Sequence, residues 1–413
     1  MFHHRKFLHG AVCCLAVVWS QAATSQSAPP PSAFLDVTAT HVPRAEKLHA
    51  LDAEFVDVDQ DGDLDVVLAV EGDVNRLYLN DGTGRLNWRK KAFGSVAHDT
   101  EHVLSADFNR DSFADVMFIA EDDQVHQLFL GDGKAGFTDV SDRLPARSEG
   151  NGFAAGDVND DGWVDVVVGN SGERGQNFLW LGDSTRPGYF IDATATHLPA
   201  VNDATQGIAL VDLDGDRDLD MVVANEAPPN RLLLNDGRGR FTEASDRLRT
   251  TVPLHTREVH VFDATKDGKL DILFLNLTSN AGARERDPQA RLLVNDGSGT
   301  FVDETEKRLP RNSFSSWGGA VVDFNDDGQL DLIVGAIEVP GFNPLQARAY
   351  ANDGQGNFKD VTTAVLPATT VGRSWSTAVG DLNGDGKDDV FIGGWGTQAR
   401  LLLRAPYSSS SRQ

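Results

Sequence analysis

The stretch VDLDGDRDLDMVV, residues 211–223, places five aspartates within nine residues. They occupy every second position from Asp212 to Asp220. Two carboxylates about 4 Å apart repel each other by roughly 1 kcal/mol even in water, so the cluster needs something to neutralise it. Alternating oxygen ligands around a sharp turn are typical of a loop that wraps a hard cation such as calcium. The stretch therefore predicts a cation-binding loop.

The same pattern occurs seven times along the chain, which indicates an internal repeat of 50 to 60 residues. The first aspartates of the copies are Asp57, Asp107, Asp157, Asp212, Asp263, Asp323 and Asp381. A second motif follows each of the first six copies: an apolar run, in most copies Asn-Asp-Gly-x-Gly, and then an aromatic residue. That order predicts a strand, a tight turn and a strand. Each repeat is thus expected to contain four strands, A to D, with the aspartate loop between A and B.

Seven four-stranded units predict an all-β fold, a seven-bladed β-propeller over residues 34–404. The seventh copy ends at ARLLLRAP without a turn or a D strand, whereas AFLDVTATHVP near the N-terminus matches D strands such as GFTDVSDRLP. We therefore expect the N-terminal strand to complete the last blade and close the ring, because closure leaves no exposed sheet edge. A polar linker is expected at 24–33 and a flexible tail at 405–413.

The N-terminus carries the pattern of a secretory signal peptide at residues 1–23, with a basic start, an apolar run and small residues at Ala22 and Ala23. The apolar run, from Gly10 to Trp19, is too short for a transmembrane anchor, which needs about 20 residues. We therefore expect a secreted protein with no membrane span. It would be extracellular, or, if the source is bacterial, periplasmic or on the cell surface.

The formal charge of -25 argues against nucleic acid or an anionic membrane as partner.

Both motifs, in register over roughly Ala33 to Arg404, resemble the FG-GAP/VCBS repeat family, which includes the integrin α-subunit propeller. The resemblance implies a propeller with a calcium ion in each loop, up to seven in all. It does not imply one function, because propellers host adhesion, sugar binding and catalysis alike.

Calcium ligands are expected at positions 1, 3, 5 and 9 of each loop, with glycine at position 6. They are Asp57, Asp59, Asp61, Asp65, Asp107, Asn109, Asp111, Asp115, Asp157, Asn159, Asp161, Asp165, Asp212, Asp214, Asp216, Asp220, Asp263, Thr265, Asp267, Asp271, Asp323, Asn325, Asp327, Asp331, Asp381, Asn383, Asp385 and Asp389. Ser112 replaces the glycine in the second loop and Thr265 replaces a carboxylate or amide in the fifth, which weakens both. In the fourth loop the glycine is at position 4, as Gly215, so we expect distorted coordination there.

Two other kinds of cation site fit these loops less well. An EF-hand requires a bidentate Glu at position 12, where these loops have apolar residues such as Leu68 and Val168. Magnesium prefers near-octahedral sites with retained water. A third possibility stays open: the aspartates cap turns without metal, most plausibly in the second and fifth loops.

A ligand site is expected on the face opposite the loops. Six residues before the first aspartates are Leu51, Glu101, Asn151, Gln206, Arg257, Trp317 and Trp375; eight before them are His49, Asp99, Glu149, Ala204, His255, Ser315 and Arg373. Both sets should point to the mouth of a central channel, because strand side chains alternate with period two. The expected ligand-binding residues are Glu101, Asn151, Gln206, Arg257, Trp317, Trp375 and Arg373, which suit a sugar ring or a peptide. Alternatively, the tryptophans pack the channel.

These patterns favour a calcium-stabilised binding or adhesion module for an extracellular protein or carbohydrate over an enzyme. The sequence holds no Gly-x-Ser-x-Gly turn, phosphate loop or cysteine nucleophile. The alternative is a lyase-like enzyme acting on polysaccharides, with His98, His255, Arg257 or Arg373 near the axis. The oligomeric state is left open.

Overall fold

The computed structural model describes residues 33–172, 175–227, 229–250, 252–277, 288–338, 343–372 and 376–405. The predicted signal peptide lies outside these ranges, as do the predicted linker and tail apart from residues 33 and 405. Two predicted ligand-binding residues, Arg373 and Trp375, also lie outside them. Within the described ranges, every helix is too short or too polar to cross a membrane.

The described chain consists of short strands, with helices of a single turn. The strands are β1 (Phe34–Asp36), β2 (Ala50–Val56), β3 (Asp65–Asp73), β4 (Arg76–Asn80), β5 (Leu86–Arg89), β6 (His98–Ala106), β7 (Asp115–Ala120), β8 (Gln127–Gly131), β9 (Phe137–Asp139), β10 (Gly150–Gly156), β11 (Asp165–Asn170), β12 (Phe178–Gly182), β13 (Phe190–Asp192), β14 (Thr205–Val211), β15 (Asp220–Asn225), β16 (Arg231–Asn235), β17 (Phe241–Glu243), β18 (Leu248–Arg249), β19 (Thr256–Phe262), β20 (Asp271–Asn276), β21 (Arg291–Asn295), β22 (Phe301–Asp303), β23 (Gly319–Val322), β24 (Asp331–Val334), β25 (Ile337–Glu338), β26 (Asn343–Gln346), β27 (Arg348–Asn352), β28 (Phe358–Asp360), β29 (Val371–Gly372), β30 (Thr377–Gly380), β31 (Asp389–Ile392) and β32 (Arg400–Arg404). The helices are α1 (Thr38–His41), α2 (Thr194–His197), α3 (Thr305–Arg308) and α4 (Thr362–Val365), with 3-10 turns at Ser141–Arg143 and Ser245–Arg247.

Apart from β18, which pairs parallel with β22, the strands pair into antiparallel sheets in which most neighbours along the chain are neighbours in space. Four-stranded sets are β2–β3–β4–β5, β6–β7–β8–β9, β10–β11–β12–β13, β14–β15–β16–β17, β19–β20–β21–β22 and β23–β24–β27–β28. The first two sets are joined through pairing of β3 with β6, and β25, β26 and β29 form a small additional sheet. The predicted all-β class, built from four-stranded antiparallel units, is confirmed.

The first strand of the chain belongs to the last sheet. β1 pairs antiparallel with β32, with Phe34 opposite Arg404 and Asp36 opposite Leu402. β32 continues to β31 and β30. β1 therefore takes the fourth position of that sheet, as the match between the N-terminal segment and the D strands predicts.

The core is distributed over interfaces between adjacent sheets. In the third and fourth sheets, for example, Val167 packs in one cluster with Met221 and Val223. A corresponding cluster joins the first and last sheets, with Tyr78 against Phe391. First strands also contact first strands in the succession β2, β6, β10, β14, β19, β23, β30 and again β2. The second strand of each sheet is flanked on both sides, which explains its continuous apolar sequence.

Turn asparagines link neighbouring sheets. The amide of Asn80 donates to the carbonyl of Leu382, in the loop of the last sheet, at 2.7 Å. Asn235 donates to Val158 in the preceding sheet at 2.8 Å, and Asn352 makes the equivalent bond. In each case the acceptor is the second residue of an aspartate loop. The Asn-Asp-Gly turn therefore fixes sheet order as well as reversing the chain.

Substituting Phe34→Ala tests the contribution of β1. Phe34 is fully buried in the cluster that contains Leu402, whereas its neighbour Leu35 is 47% exposed. We expect Phe34→Ala to lower the free energy of unfolding by about 3–5 kcal/mol, because it removes a buried aromatic ring and leaves a cavity. Denaturant unfolding measures this, with Leu35→Ala as the control and an expected change below about 1 kcal/mol. Equal losses in the two variants would contradict the assignment of β1 to the core.

Candidate functional sites: the aspartate loops and a polar pocket

All seven aspartate loops have positive φ at the same two positions. Positive φ occurs at position 6 and also at position 4, where the residues are Gln60, Arg110, Asp160, Gly215, Lys266, Asp326 and Gly384. In the fourth loop Gly215 has φ 84° and Arg217, at position 6, has φ 80°. This loop therefore keeps positive φ at both positions despite its unusual glycine, and the distorted coordination expected from its sequence stays a prediction. At position 6 the second and fourth loops have Ser112 and Arg217 in a conformation that favours glycine.

The carboxylates at positions 1 and 5 shape the loops through their own backbone. In the first loop Asp57 accepts a hydrogen bond from the amide of Gly62 at 3.0 Å, and Asp61 accepts one from Asp63 at 3.0 Å. The other six loops repeat both bonds. Such bonds are typical of turns capped by an aspartate side chain. At least one oxygen of each of these carboxylates therefore accepts a backbone hydrogen bond whether or not a metal is bound.

The aspartate at position 9 ties the loop to the second turn of its repeat. Asp65 accepts from the amide of Val58 at 3.2 Å and from that of Asn80 at 2.9 Å. Burial, with a smaller contribution from the nearby loop carboxylates, raises the pKa of Asp65 to about 7 against the opposing effect of its two amide hydrogen bonds. The equivalent residues of most other loops make the same pair of bonds. Sequence reasoning assigned these aspartates as ligands only and missed this structural role.

The remaining loop oxygens fit a hard cation. Carboxylate oxygens of Asp57, Asp59 and Asp61 lie within 4.8 Å of one another, and the fourth loop has a similar group. One oxygen each of Asp57 and Asp59 is buried with no hydrogen-bond partner in the described structure, as is the hydroxyl of Thr265 in the fifth loop. Buried oxygens without a donor are costly unless a cation meets them. All three residues are at positions predicted to bind metal, so the donor set fits calcium.

At the opposite ends of the first strands, five of the predicted ligand-binding residues come together. Glu101, Asn151, Gln206, Arg257 and Trp317 line one cavity of about 220 Å³. Arg257 donates to Glu101 at 2.9 Å and to Asn151 at 3.1 Å, and it also contacts Gln206. Burial raises the pKa of Glu101 to about 7, against the opposing effect of Arg257. The residues assigned by counting six positions back are thus neighbours in space.

A β-bulge positions these side chains. The pairing of β2 with β3 skips Leu51, and the equivalent pairings skip Glu101, Asn151, Gln206 and Arg257. A bulge adds one unpaired residue and re-aims the side chains of its strand. Period-two alternation therefore does not extend through it. The described residues eight positions back are not part of the lining of this cavity, although His49 contacts Glu71 and Trp395, which are. The expectation that both sets point to one mouth stays a prediction.

A second set of pocket residues was missed by the sequence analysis. Fourteen positions after the first aspartates, at or just beyond the ends of the second strands, are Glu71, Glu121, Glu226, Leu277 and Trp395, all of which line the same cavity. Counting forward from each loop, as well as backward, would have found them. Trp395 donates to Glu71, and its ring lies 4.7 Å from that of His49. The pocket therefore combines residues from both strands that flank each aspartate loop.

Replacing Arg217 tests the shared loop conformation. An L-residue in the left-handed region costs about 1–2 kcal/mol, so we expect Arg217→Gly to stabilise the protein by up to about 1 kcal/mol after the entropy cost of glycine. Gly215→Ala should destabilise it by about 1 kcal/mol, although an added Cβ meets no atom within 4 Å. Thermal unfolding in EDTA, which removes any metal contribution, measures both. A loss of stability in Arg217→Gly would contradict the argument.

A family described as FG-GAP-like repeat matches six segments of the chain, 57–118, 107–168, 157–223, 212–274, 280–334 and 337–392. Cartilage acidic protein 1 from Xenopus tropicalis is 30% identical over 234 residues, which are 54% of this chain and 33% of that protein. The Homo sapiens protein of the same name is 30% identical over 236 residues, with the same shares. The match thus spans about a third of the length of these relatives.

Solved structures of BBS1N in complex with ARL6DN share the fold. The one soaked with lead has a TM-score of 0.56 at 10% identity, and covers 91% of this chain and 98% of that chain. The one soaked with mercury has a TM-score of 0.54 at 11% identity, covering 92% and 98%. At this identity the likeness concerns the fold alone. The family match extends over most of the chain and coincides with the aspartate loops, so this chain belongs to the FG-GAP-like repeat family.

Proposed function

We propose that this chain is an exported, calcium-stabilised β-propeller that binds an extracellular protein or carbohydrate through the pocket at the starts of its first strands. The observation that carries the proposal is the convergence of five residues, assigned from sequence alone, in one cavity at the ends of the strands away from the loops. The relatives named for cartilage, a tissue rich in extracellular matrix, support an extracellular location. The pattern at residues 1–23 supports export.

The proposed propeller has seven blades and is closed by β1. Pairing of β1 with β32 and the apolar cluster between the first and last sheets support closure. The succession of contacts from β2 through β30 and again to β2 supports seven blades. Such a ring would place the first strands innermost, around the pocket, and the aspartate loops together at the other end.

Calcium is proposed for the aspartate loops, held by the residues at positions 1, 3, 5 and 9. It would neutralise the clustered carboxylates and meet the buried oxygens of Asp57, Asp59 and Thr265 that have no partner in the described structure. The first loop has the most complete set of such oxygens. We expect its occupancy to stabilise the contact between the first and last sheets, because Asn80 links the first repeat to the last.

Chelation tests the calcium proposal. EDTA should lower the midpoint of thermal unfolding by at least roughly 10 °C, because a ligand that binds the folded state alone stabilises it by an amount that grows with the logarithm of its concentration relative to its Kd. Asp59→Ala should reduce the calcium-dependent shift, whereas Asp246→Ala, at an exposed aspartate outside the loops, should not. An unchanged midpoint in EDTA would rule out a structural role for calcium.

The polysaccharide lyase alternative has less support, because Arg257, which would neutralise a substrate carboxylate, is buried and bonded to Glu101. A screen of matrix proteins and glycans by surface binding tests the choice. We expect saturable binding that weakens about tenfold or more in Trp395→Ala, as when a central aromatic contact is lost. Trp163→Ala, in the third aspartate loop, is the matched control and should leave binding unchanged. Release of an unsaturated, absorbing product from polygalacturonate would favour the lyase instead.

A further inference from the structure

Side chains at position 4 connect the first three aspartate loops to one another. Gln60, at position 4 of the first loop, donates from its amide to the carbonyl of Ser112, at position 6 of the second loop, at 3.2 Å. Arg110, at position 4 of the second loop, donates to the carbonyl of Gly162, at position 6 of the third loop. Both bonds span 52 residues, so they join equivalent points of consecutive repeats.

The backbone at position 4 explains why two different side chains reach the same acceptor. Its φ is 60° at Gln60 and 61° at Arg110, in the left-handed region. The two side chains therefore leave the backbone in the same direction relative to their loops. The direction belongs to the loop, and any donor of sufficient length at position 4 can use it.

The accepting peptide group also orients a predicted calcium ligand. In the second loop the amide of Phe113, which shares a peptide group with the Ser112 carbonyl, donates to Asp111 at 2.9 Å. In the third loop the amide of Trp163 donates to Asp161 at 2.9 Å. Linked hydrogen bonds polarise one another, so a peptide that accepts at its carbonyl donates more strongly from its N–H. Position 4 of one loop therefore strengthens the bond that holds the position 5 carboxylate of the next.

Arg110 packs on the third loop as well as bonding to it. Its guanidinium lies 4.6 Å from the centroid of the Trp163 ring. An added Cβ at Gly162 would collide with the same guanidinium. Along the chain Arg110 stands between Asn109 and Asp111, both predicted ligands of the second loop. One residue thus belongs to the second loop by its backbone and touches the third by its side chain.

The same connection does not continue to the fourth loop. Position 4 of the third loop is Asp160. An ionised carboxylate only accepts hydrogen bonds, so it cannot bond to a carbonyl as Gln60 and Arg110 do. The third loop therefore has one neighbour that reaches it through a position 4 donor and one that it cannot reach in this way.

We propose that Gln60 and Arg110 are positioning residues that couple cation binding in the first three loops, so that an ion in one loop raises the affinity of the next. The inference rests on the proposed calcium binding and goes beyond it. An ion held by positions 3 and 5 of the second loop fixes the backbone of Arg110 between them. The arginine is then ordered in advance, and the third loop loses less conformational entropy when it closes on its own ion.

Sensitised terbium luminescence measures the third loop by itself. Terbium(III) takes oxygen ligands as calcium does, and Trp163 stands at position 7, which supplies a backbone carbonyl in calcium loops of this kind. The other six tryptophans lie outside the aspartate loops. Excitation of the indole therefore reports the ion in the third loop. The metal-free full chain is titrated with terbium, and emission that survives in Trp163→Phe is subtracted.

Matched pairs of substitutions weaken the two neighbours of the third loop. Asp107→Asn with Asp111→Asn alters positions 1 and 5 of the second loop, and Asp212→Asn with Asp216→Asn alters the same positions of the fourth. Both pairs remove two charges and keep oxygens that accept the backbone bonds. We expect the second-loop pair to weaken terbium binding in the third loop at least about threefold more than the fourth-loop pair, as for the loss of one net hydrogen bond.

Substitutions of Arg110 complete a double-mutant cycle. In Arg110→Ala the two pairs should affect the third loop equally, because the connecting side chain is gone. Arg110→Gln should keep part of the difference, since Gln60 reaches the equivalent carbonyl. Lys266→Ala, at position 4 of the fifth loop, is the control and should leave the difference unchanged. Equal effects of the two pairs in the unsubstituted chain would overturn the proposal, as would a difference that persists in Arg110→Ala or disappears in Arg110→Gln.

These outcomes are distinguishable from failure of the calcium proposal. If EDTA lowers the midpoint of unfolding and the third loop binds terbium independently of the second, calcium stabilisation stands and only the coupling is overturned. If no emission depends on Trp163, cation binding in the third loop and the coupling are both overturned.

Discussion

The buried aspartate at position 9 is the contact on which each repeat depends. With one carboxylate, Asp65 and its equivalents hold the start of the loop and the turn between the third and fourth strands. A charge buried in this way is stable only when its hydrogen bonds are made. The bonds therefore fix where the first strand ends and where the second begins. The register of both strands, and with it the direction of the pocket residues at their far ends, follows from this position.

The sequence predicted the features that repeat and missed those that interrupt a repeat. Four-stranded units, the joining of β1 to the last sheet and the meeting of Glu101 with Arg257 all followed from motif spacing. The set eight positions back is not part of the cavity lining in the described structure, and a bulge at residues such as Leu51 breaks the alternation of the first strand between the two sets. A bulge depends on pairing with a partner strand, so one strand's pattern does not reveal it. The same holds for Gly215, since the positive φ at position 4 is a property of the folded loop.

Carboxylates at the two ends of the first strands are stabilised by different partners. In the loops, backbone amides satisfy part of each carboxylate, and the oxygens left over face one another, as a small hard cation requires. In the pocket, Arg257 neutralises Glu101, and the other carboxylates border an open cavity among tryptophans. The same strongly acidic chain thus satisfies its carboxylates mainly through backbone amides at one end of the first strands and through a buried guanidinium at the other.

The seven copies provide an internal comparison that separates scaffold from specificity. Position 1 is aspartate in every loop, position 5 is aspartate in every loop, and position 9 is aspartate in every loop. Six positions before the loops, by contrast, the residues range from Leu51 through Glu101 to Trp317. If the fold required a given side chain there, the copies would share it, as they share the loop aspartates. The bulge presents the side chain at that position to the pocket whatever the residue is. The scaffold therefore tolerates variation there, and the residues that vary determine the chemistry of the pocket.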